Sequence, residues 1–194
     1  SIMKQLIITF LFIFSFTQSY AHKPVLNENS TYPADAPYEI EEPEISKAIY
    51  STLTGGPHYY RIQSDVDFDF YAGILAAKIG ECALERKFSF EVLDSEFHNI
   101  DVADGENFKW TPWYEEYGKQ WYWNGPEIGK NFLSDRIYKA GTYYIKVFNS
   151  NNTGQYIMAV GDIEKFSFTD IIGLIFSLGD IEDEFWDPNL CGLS

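Results

Sequence analysis

Aromatic residues are concentrated in one short segment of this sequence. Four of the five tryptophans lie between residues 110 and 123, together with three tyrosines. Trp and Tyr side chains line many ligand sites and dominate the binding energy of many interfaces. The candidate ligand-binding residues are therefore Trp110, Trp113, Tyr114, Tyr117, Trp121 and Trp123.

Two roles are open for this aromatic segment. Each ring buries about 150–250 Å² when it is covered, so the segment either folds back as a second core or leaves a surface for a carbohydrate or an extracellular protein. Alternation along a strand places Trp121 and Trp123 on one face. We expect these two to be mostly structural, and we expect the more exposed rings to be among Trp110, Trp113 and Tyr117.

The three histidines are candidate copper ligands. If a leader is cleaved after Ala21, the new terminal residue His22 offers an amine and an imidazole nitrogen, which are donors that suit Cu²⁺. His58 or His98 would then complete the site. A copper-binding protein is therefore the alternative to a module that recognises a ligand through its aromatic rings.

A group of aspartates is a candidate Ca²⁺ site. Asp65, Asp67 and Asp69 occupy alternate positions, which places three carboxylates on one strand face or around a turn. Clustered oxygens of this kind are the ligands that Ca²⁺ prefers. The favoured interpretation is that these are outward polar positions, alternating with core residues that include Val66 and Phe68.

The chain contains two cysteines, Cys82 and Cys191. They lack the paired spacing of a zinc site. In an oxidising compartment an even count predicts a disulfide, here one that ties the C-terminal residues to the body of the domain. Two unpaired thiols are the alternative.

The sequence carries no common catalytic motif, such as G-x-S-x-G, H-E-x-x-H or a phosphate-binding loop. Adjacent residues on a strand point to opposite faces, so Glu115 and Glu116 do not suit the carboxylate pair of a glycosidase. The formal charge of −15 excludes nucleic acid as a partner. We therefore expect a non-catalytic protein.

The N-terminal residues have the features of a secretory signal peptide. In residues 1–21, Lys4 precedes the apolar run 6–16, which is followed by small residues. This run is shorter than the about 17–25 residues of a transmembrane helix. We expect cleavage to leave a secreted, extracellular or periplasmic chain without a transmembrane segment, with residues 22–44 as an extended lead-in.

Residues 45–161 are predicted to form an all-β domain. Apolar and aromatic residues form short strand-like runs, many of them alternating with polar residues, over 47–53, 58–63, 68–76, 88–92, 97–102, 141–148 and 155–160. Such strands without intervening helices are typical of an antiparallel β-sandwich of the jelly-roll type. The Gly- and Pro-rich residues 104–135 are expected to be loop-like.

The C-terminal residues 162–194 are predicted to contain an amphipathic helix and a tail. Apolar residues recur at helical spacing from about 169 to 186, and we expect this stripe to pack on the sandwich. A helix on a membrane surface would favour Lys and Arg, but this one carries acidic residues such as Asp180 and Glu182.

Three segments resemble the bacterial pre-peptidase C-terminal domain. GTYYIKVFN at 141–149 and TGQYIMAV at 153–160 are similar to the closing hairpin of that family, and HYYRI at 58–62 is similar to its opening strand. The resemblance covers about residues 58–161. It implies a small extracellular jelly-roll sandwich of the kind that serves secreted enzymes as an accessory module without chemistry of its own. We expect a secreted module with a binding or structural role.

Overall fold

Two β-sheets form the body of the fold in the computed structural model, which describes residues 23–26, 31–116, 118–165 and 179–192. The predicted signal peptide lies outside these ranges. Sheet A consists, from edge to edge, of β1 (Lys23–Leu26), β3 (Lys47–Thr54), β13 (Thr153–Val160), β6 (Ala72–Ala77), β10 (Gln120–Ile128) and β9 (Thr111–Glu115).

Sheet B has five strands, and a short third sheet has two. From edge to edge, sheet B consists of β2 (Tyr38–Ile40), β4 (His58–Ser64), β12 (Gly141–Phe148), β7 (Ser89–Leu93) and β8 (Asn99–Ala103). The two-stranded sheet pairs β5 (Phe68–Phe70) with β11 (Arg136–Tyr138).

The main core lies between sheets A and B. Alternate residues of the central strands point into it and are buried, among them Ile49, Leu53 and Met158 of sheet A and Ile62, Phe90 and Ile145 of sheet B. Burying each such side chain contributes about 1.5–3 kcal/mol. The predicted all-β sandwich is confirmed, because the alternation in the sequence matches the two inner faces.

A second core covers the outer face of sheet A. Ile181 and Phe185, in the helical residues 179–185, are buried there with residues of β3, β6 and β13. The ring of Phe185 meets that of Tyr50 edge to face, with centroids 5.1 Å apart. For these residues the predicted packing of the helix is confirmed, and the rest of the predicted helix lies outside the described residues. Within the described ranges, no helix has the length and apolar character needed to cross a membrane.

The predicted disulfide is confirmed. Cys82 and Cys191 are bonded, with their Cα atoms 5.6 Å apart. The bond closes a loop over a sequence separation of 109 residues. In the chain-entropy model such a loop stabilises the native state by up to about 4–5 kcal/mol.

The interpretation of residues 104–135 as loop-like was wrong, because β9 and β10 form an antiparallel hairpin within this segment. The residues that normally interrupt strands occupy positions where a sheet tolerates them. Pro112 is on β9, which is an edge strand. Gly125 and Pro126 coincide with the register shift between Asn124 and Glu127.

Two other boundaries differ from the predictions. The lead-in is not wholly irregular, since β1 pairs with β3 and β2 pairs with β4, both in parallel. The run 68–76 is not one strand, because the chain leaves β5 at Tyr71 and enters a different sheet. The Tyr71 carbonyl accepts a hydrogen bond from Gly161, and its hydroxyl donates one to Glu127.

Candidate ligand-binding surface

The hairpin of β9 and β10 divides its aromatic residues between two faces. Trp121 lies opposite Tyr114 in the register, and Tyr122 lies opposite Trp113. Successive side chains of a strand point to opposite faces. As the sequence predicted, Trp123 therefore shares a face with Trp121, whereas Tyr122 points to the other.

One face of the hairpin extends the second core. Tyr122 is buried there, and its hydroxyl is hydrogen-bonded to that of Tyr50 at 2.8 Å. Burial raises the pKa of Tyr50 to about 12, so both hydroxyls stay protonated at neutral pH. Trp113 packs against Phe132, with ring centroids 5.0 Å apart. Trp113 is therefore half-buried and structural, contrary to the expectation that it would be one of the more exposed rings.

Trp110 is also structural, and the expectation that it would be exposed was wrong. Only 9% of this residue is exposed, and its indole N–H donates to the carbonyl of Gly105 at 2.8 Å. Its ring packs so closely on Gly125 that a Cβ there would overlap it. The glycines that suggested a loop thus make room for a buried tryptophan.

Trp121 and Tyr114 are the exposed rings of the hairpin. They are 49% and 40% exposed, and their ring centroids lie 5.2 Å apart at an interplanar angle of 51°. The expectation that Trp121 would be mostly structural was wrong. Trp121 is exposed because it lies one residue beyond the last paired residues of β10 and β6, which are Tyr122 and Ala77.

Lys78 lies beside these rings. Its Nζ is 6.0 Å from the centroid of Trp121 and 5.6 Å from that of Trp123, within the range of cation–π attraction. Trp123 is half-buried and packs against the main core. We call Tyr114, Trp121 and Lys78 the hairpin surface.

The backbone under the hairpin surface is held from two sides. The Trp121 carbonyl accepts hydrogen bonds from the backbone N–H of Lys78 at 3.0 Å and from the indole N–H of Trp186 at 2.8 Å. Lys78 was missed by sequence reasoning, because it is brought to the rings only by the pairing of β6 with β10. Tyr117 lies outside the described residues.

The histidines proposed as copper ligands occupy different environments. His58 is 1% exposed, and its Nδ1 lies 2.8 Å from the Tyr156 hydroxyl. His98 is exposed, with Nδ1 3.3 Å from a carboxylate oxygen of Asp94. His22 lies outside the described residues. The burial of His58 excludes it from an accessible site, so the copper hypothesis gains no support.

The three aspartates are exposed. Asp67 pairs with the Lys139 ammonium at 2.8 Å and accepts a hydrogen bond from the Ala140 N–H at 3.0 Å. Val66 is exposed rather than part of the core, whereas Phe68 is buried as expected. In the part of the chain that the structure describes, no three His, Cys, Asp or Glu residues are grouped to hold a metal ion.

Comparison with known proteins finds matches among solved structures. No family model and no curated protein matches the chain. Among solved structures, the chain is similar to a 1.0 Å crystal structure of the pre-peptidase C-terminal domain of a collagenase from Bacillus anthracis. The match covers 70% of this chain and 98% of that domain, with 13% sequence identity and a TM-score of 0.36.

Proposed function

We propose that the protein is a secreted, non-catalytic module that binds a carbohydrate through the hairpin surface. The observation that carries this proposal is the exposure of Trp121 and Tyr114 together, next to one another on one face of a hairpin. The neighbouring rings, those of Trp110, Trp113, Tyr122 and Trp123, are buried or half-buried.

Leaving two large rings half in water forgoes stabilisation, since burial contributes about 25 cal/mol per Å² of apolar surface. The same hairpin buries Tyr122 under the C-terminal helix, so the fold has a means of covering rings. Neighbouring apolar groups that a fold leaves uncovered are typical of binding sites. A ligand that covers both rings recovers this energy.

The size of the hairpin surface favours a small ligand over a protein. A standard protein–protein interface buries about 800 Å² on each partner, which two half-exposed rings and a lysine do not supply. A sugar ring is of the right size for this surface. Its C–H face can also pack on the face of an aromatic ring. The Lys78 ammonium lies close enough to donate hydrogen bonds to sugar hydroxyls.

Preorganisation supports the same function. Two hydrogen bonds hold the Trp121 carbonyl, and the indole meets both Tyr114 and Lys78. A ring that is already fixed loses little entropy when a ligand stacks on it. The disulfide is consistent with the predicted export, which would expose the module to extracellular or cell-surface glycans.

A glycan array probed with the full chain, and with Trp121→Ala and Tyr114→Ala variants, tests the proposal. We expect the wild type to select a subset of glycans and each variant to lose it. Val66→Ala is the matched control, because Val66 is an exposed apolar residue outside the hairpin. Absence of glycan binding, or binding that both hairpin variants retain, contradicts the proposal; capture of a protein through the same rings shows that the ligand class is wrong.

A further inference from the structure

The outer face of sheet B differs from that of sheet A, which lies under the C-terminal helix. Two rows of residues run across it in register. The first is Tyr59, Lys146, Glu91 and Val102, and the second is Glu39, Arg61, Tyr144 and Leu93. Neither of the two hydrophobic clusters includes Tyr59, Tyr144 or Val102.

Phe97 lies on this face. It belongs to the turn between β7 and β8 and is 44% exposed. Its ring stacks on that of Tyr144, with centroids 4.4 Å apart and an interplanar angle of 19°. Tyr59 meets it edge to face at 6.2 Å. One aromatic ring is thus supported by two others.

The backbone of Phe97 is in the left-handed region, with φ at +63°. This conformation costs a residue with a side chain about 1–2 kcal/mol. Asp94 fixes the turn, since its carboxylate accepts hydrogen bonds from the backbone N–H groups of Glu96 at 2.8 Å and His98 at 2.9 Å. Strained residues held by their surroundings are concentrated at ligand sites.

The charged residues of the two rows neutralise each other. The Arg61 Nε lies 2.8 and 3.0 Å from the two carboxylate oxygens of Glu39, and the Lys146 ammonium lies 3.5 Å from Glu91. The charges within these two rows therefore cancel, in a chain whose formal charge is −15. In the adjacent turn, the exposed Glu96 carboxylate lies 3.6 Å from the His98 imidazole. The Asp94 carboxylate beside them is engaged by the amides of its own turn. Such a face suits an uncharged ligand.

We propose that Phe97, Tyr144 and the Arg61–Glu39 pair form a second binding site, which takes a neutral saccharide. A sugar ring stacks on the open side of Phe97, and its hydroxyls exchange hydrogen bonds with the guanidinium and carboxylate of the ion pair. The side chains of this pair are 39% and 49% exposed, so both are accessible to a ligand. The site is on the opposite sheet from the hairpin surface and does not depend on it.

Phe97→Gly separates ligand binding from stability. Glycine adopts a positive φ readily, so this substitution relieves the backbone strain while it removes the stacking ring. We expect the melting temperature to stay within about 4 °C of the wild type. Phe108→Ala is the matched control, because Phe108 is a phenylalanine of similar exposure outside this face.

Saturation-transfer NMR and calorimetry with neutral hexasaccharides of glucose, mannose and N-acetylglucosamine provide the readout, and a galacturonic acid hexasaccharide is the charged comparison. We expect a neutral probe to bind the Trp121→Ala variant, in which the hairpin surface is disabled, and Phe97→Gly added to that variant to weaken the binding by at least about tenfold. Phe108→Ala, added to Trp121→Ala in the same way, should leave this binding unchanged.

Three results would overturn the second site: no neutral probe binds Trp121→Ala, adding Phe97→Gly to Trp121→Ala leaves the binding unchanged, or the galacturonic acid probe binds best. Loss of all binding in Trp121→Ala, with retention in Phe97→Gly, supports the hairpin surface and contradicts the second site. The reverse pattern supports the second site and contradicts the hairpin surface. Binding that each single variant retains in part supports both sites, so the two proposals fail independently.

Discussion

The Tyr156 hydroxyl lies 2.8 Å from Nδ1 of His58, inside the sandwich. The Tyr60 hydroxyl is 2.5 Å from that of Tyr156, and Ser51 Oγ is 3.3 Å from the same imidazole nitrogen. His58 Nε2 is buried without a hydrogen-bond partner among the described residues. Burial in this cluster lowers the pKa of His58 to about 4, so the imidazole is neutral at physiological pH.

The first prediction is that His58 makes the domain sensitive to acid. The unfolded chain takes up a proton near the ordinary pKa of about 6.5, whereas the native imidazole resists protonation down to about pH 4. Native stability therefore falls between these two pH values and levels off below them, by a total on the order of 3 kcal/mol.

Urea unfolding of the wild type and His58→Gln between pH 7 and 4 measures this effect. The variant is less stable at pH 7, because it disrupts a packed core, but it lacks the titrating ring. Its stability should therefore decline less on acidification than that of the wild type. Equal declines would show that other groups dominate the acid response.

The second prediction concerns the bond between Cys82 and Cys191. Replacing both cysteines with serine should lower the free energy of unfolding by up to about 4–5 kcal/mol, because the unfolded chain is no longer cross-linked. Hydrogen exchange should rise in residues 179–192 before it rises in the central strands. Unchanged exchange in these residues would mean that noncovalent contacts, such as the packing of Ile181 and Phe185, hold them in place without the disulfide.

The third prediction separates the buried tryptophan from the exposed one. Trp110→Ala should cost about 3–5 kcal/mol, because it opens a cavity and leaves the Gly105 carbonyl unpaired. Gly125→Ala should also destabilise, by about 1–3 kcal/mol, since its Cβ would overlap the Trp110 ring. Trp121→Ala should cost clearly less than Trp110→Ala in the same thermal denaturation series. The reverse order would mean that the assignment of core and surface rings is wrong.

Much of the sandwich is predictable from sequence, because burial on one face leaves a period of two. Phe90 and Val92 alternate with Ser89 and Glu91, and the structure buries the first two between the sheets. The hairpin of β9 and β10 was missed because glycine and proline interrupt its pattern. The effect of those residues depends on where the neighbouring strands lie, which local sequence does not encode.

The candidate site was predictable only as a region. The density of tryptophan and tyrosine locates it, but the exposure of each ring depends on long-range packing. Trp110 is buried through contacts with Gly105 and Gly125, whereas Trp121 lies beyond the end of the pairing between two strands. Lys78 reaches the rings through strand pairing across more than 40 positions of sequence, a distance over which no local pattern operates.

Isothermal titration calorimetry tests most sharply whether the hairpin surface binds a carbohydrate. It measures the affinity of one glycan, selected on the array, for the wild type and for Trp121→Ala. We expect at least about a tenfold loss of affinity in Trp121→Ala, because the indole is a main stacking surface for the sugar. We also expect Trp121→Phe, which keeps an aromatic ring, to retain part of the affinity, and Val66→Ala to retain all of it. If Trp121→Ala leaves the affinity unchanged, the hairpin surface is not the binding site of this glycan.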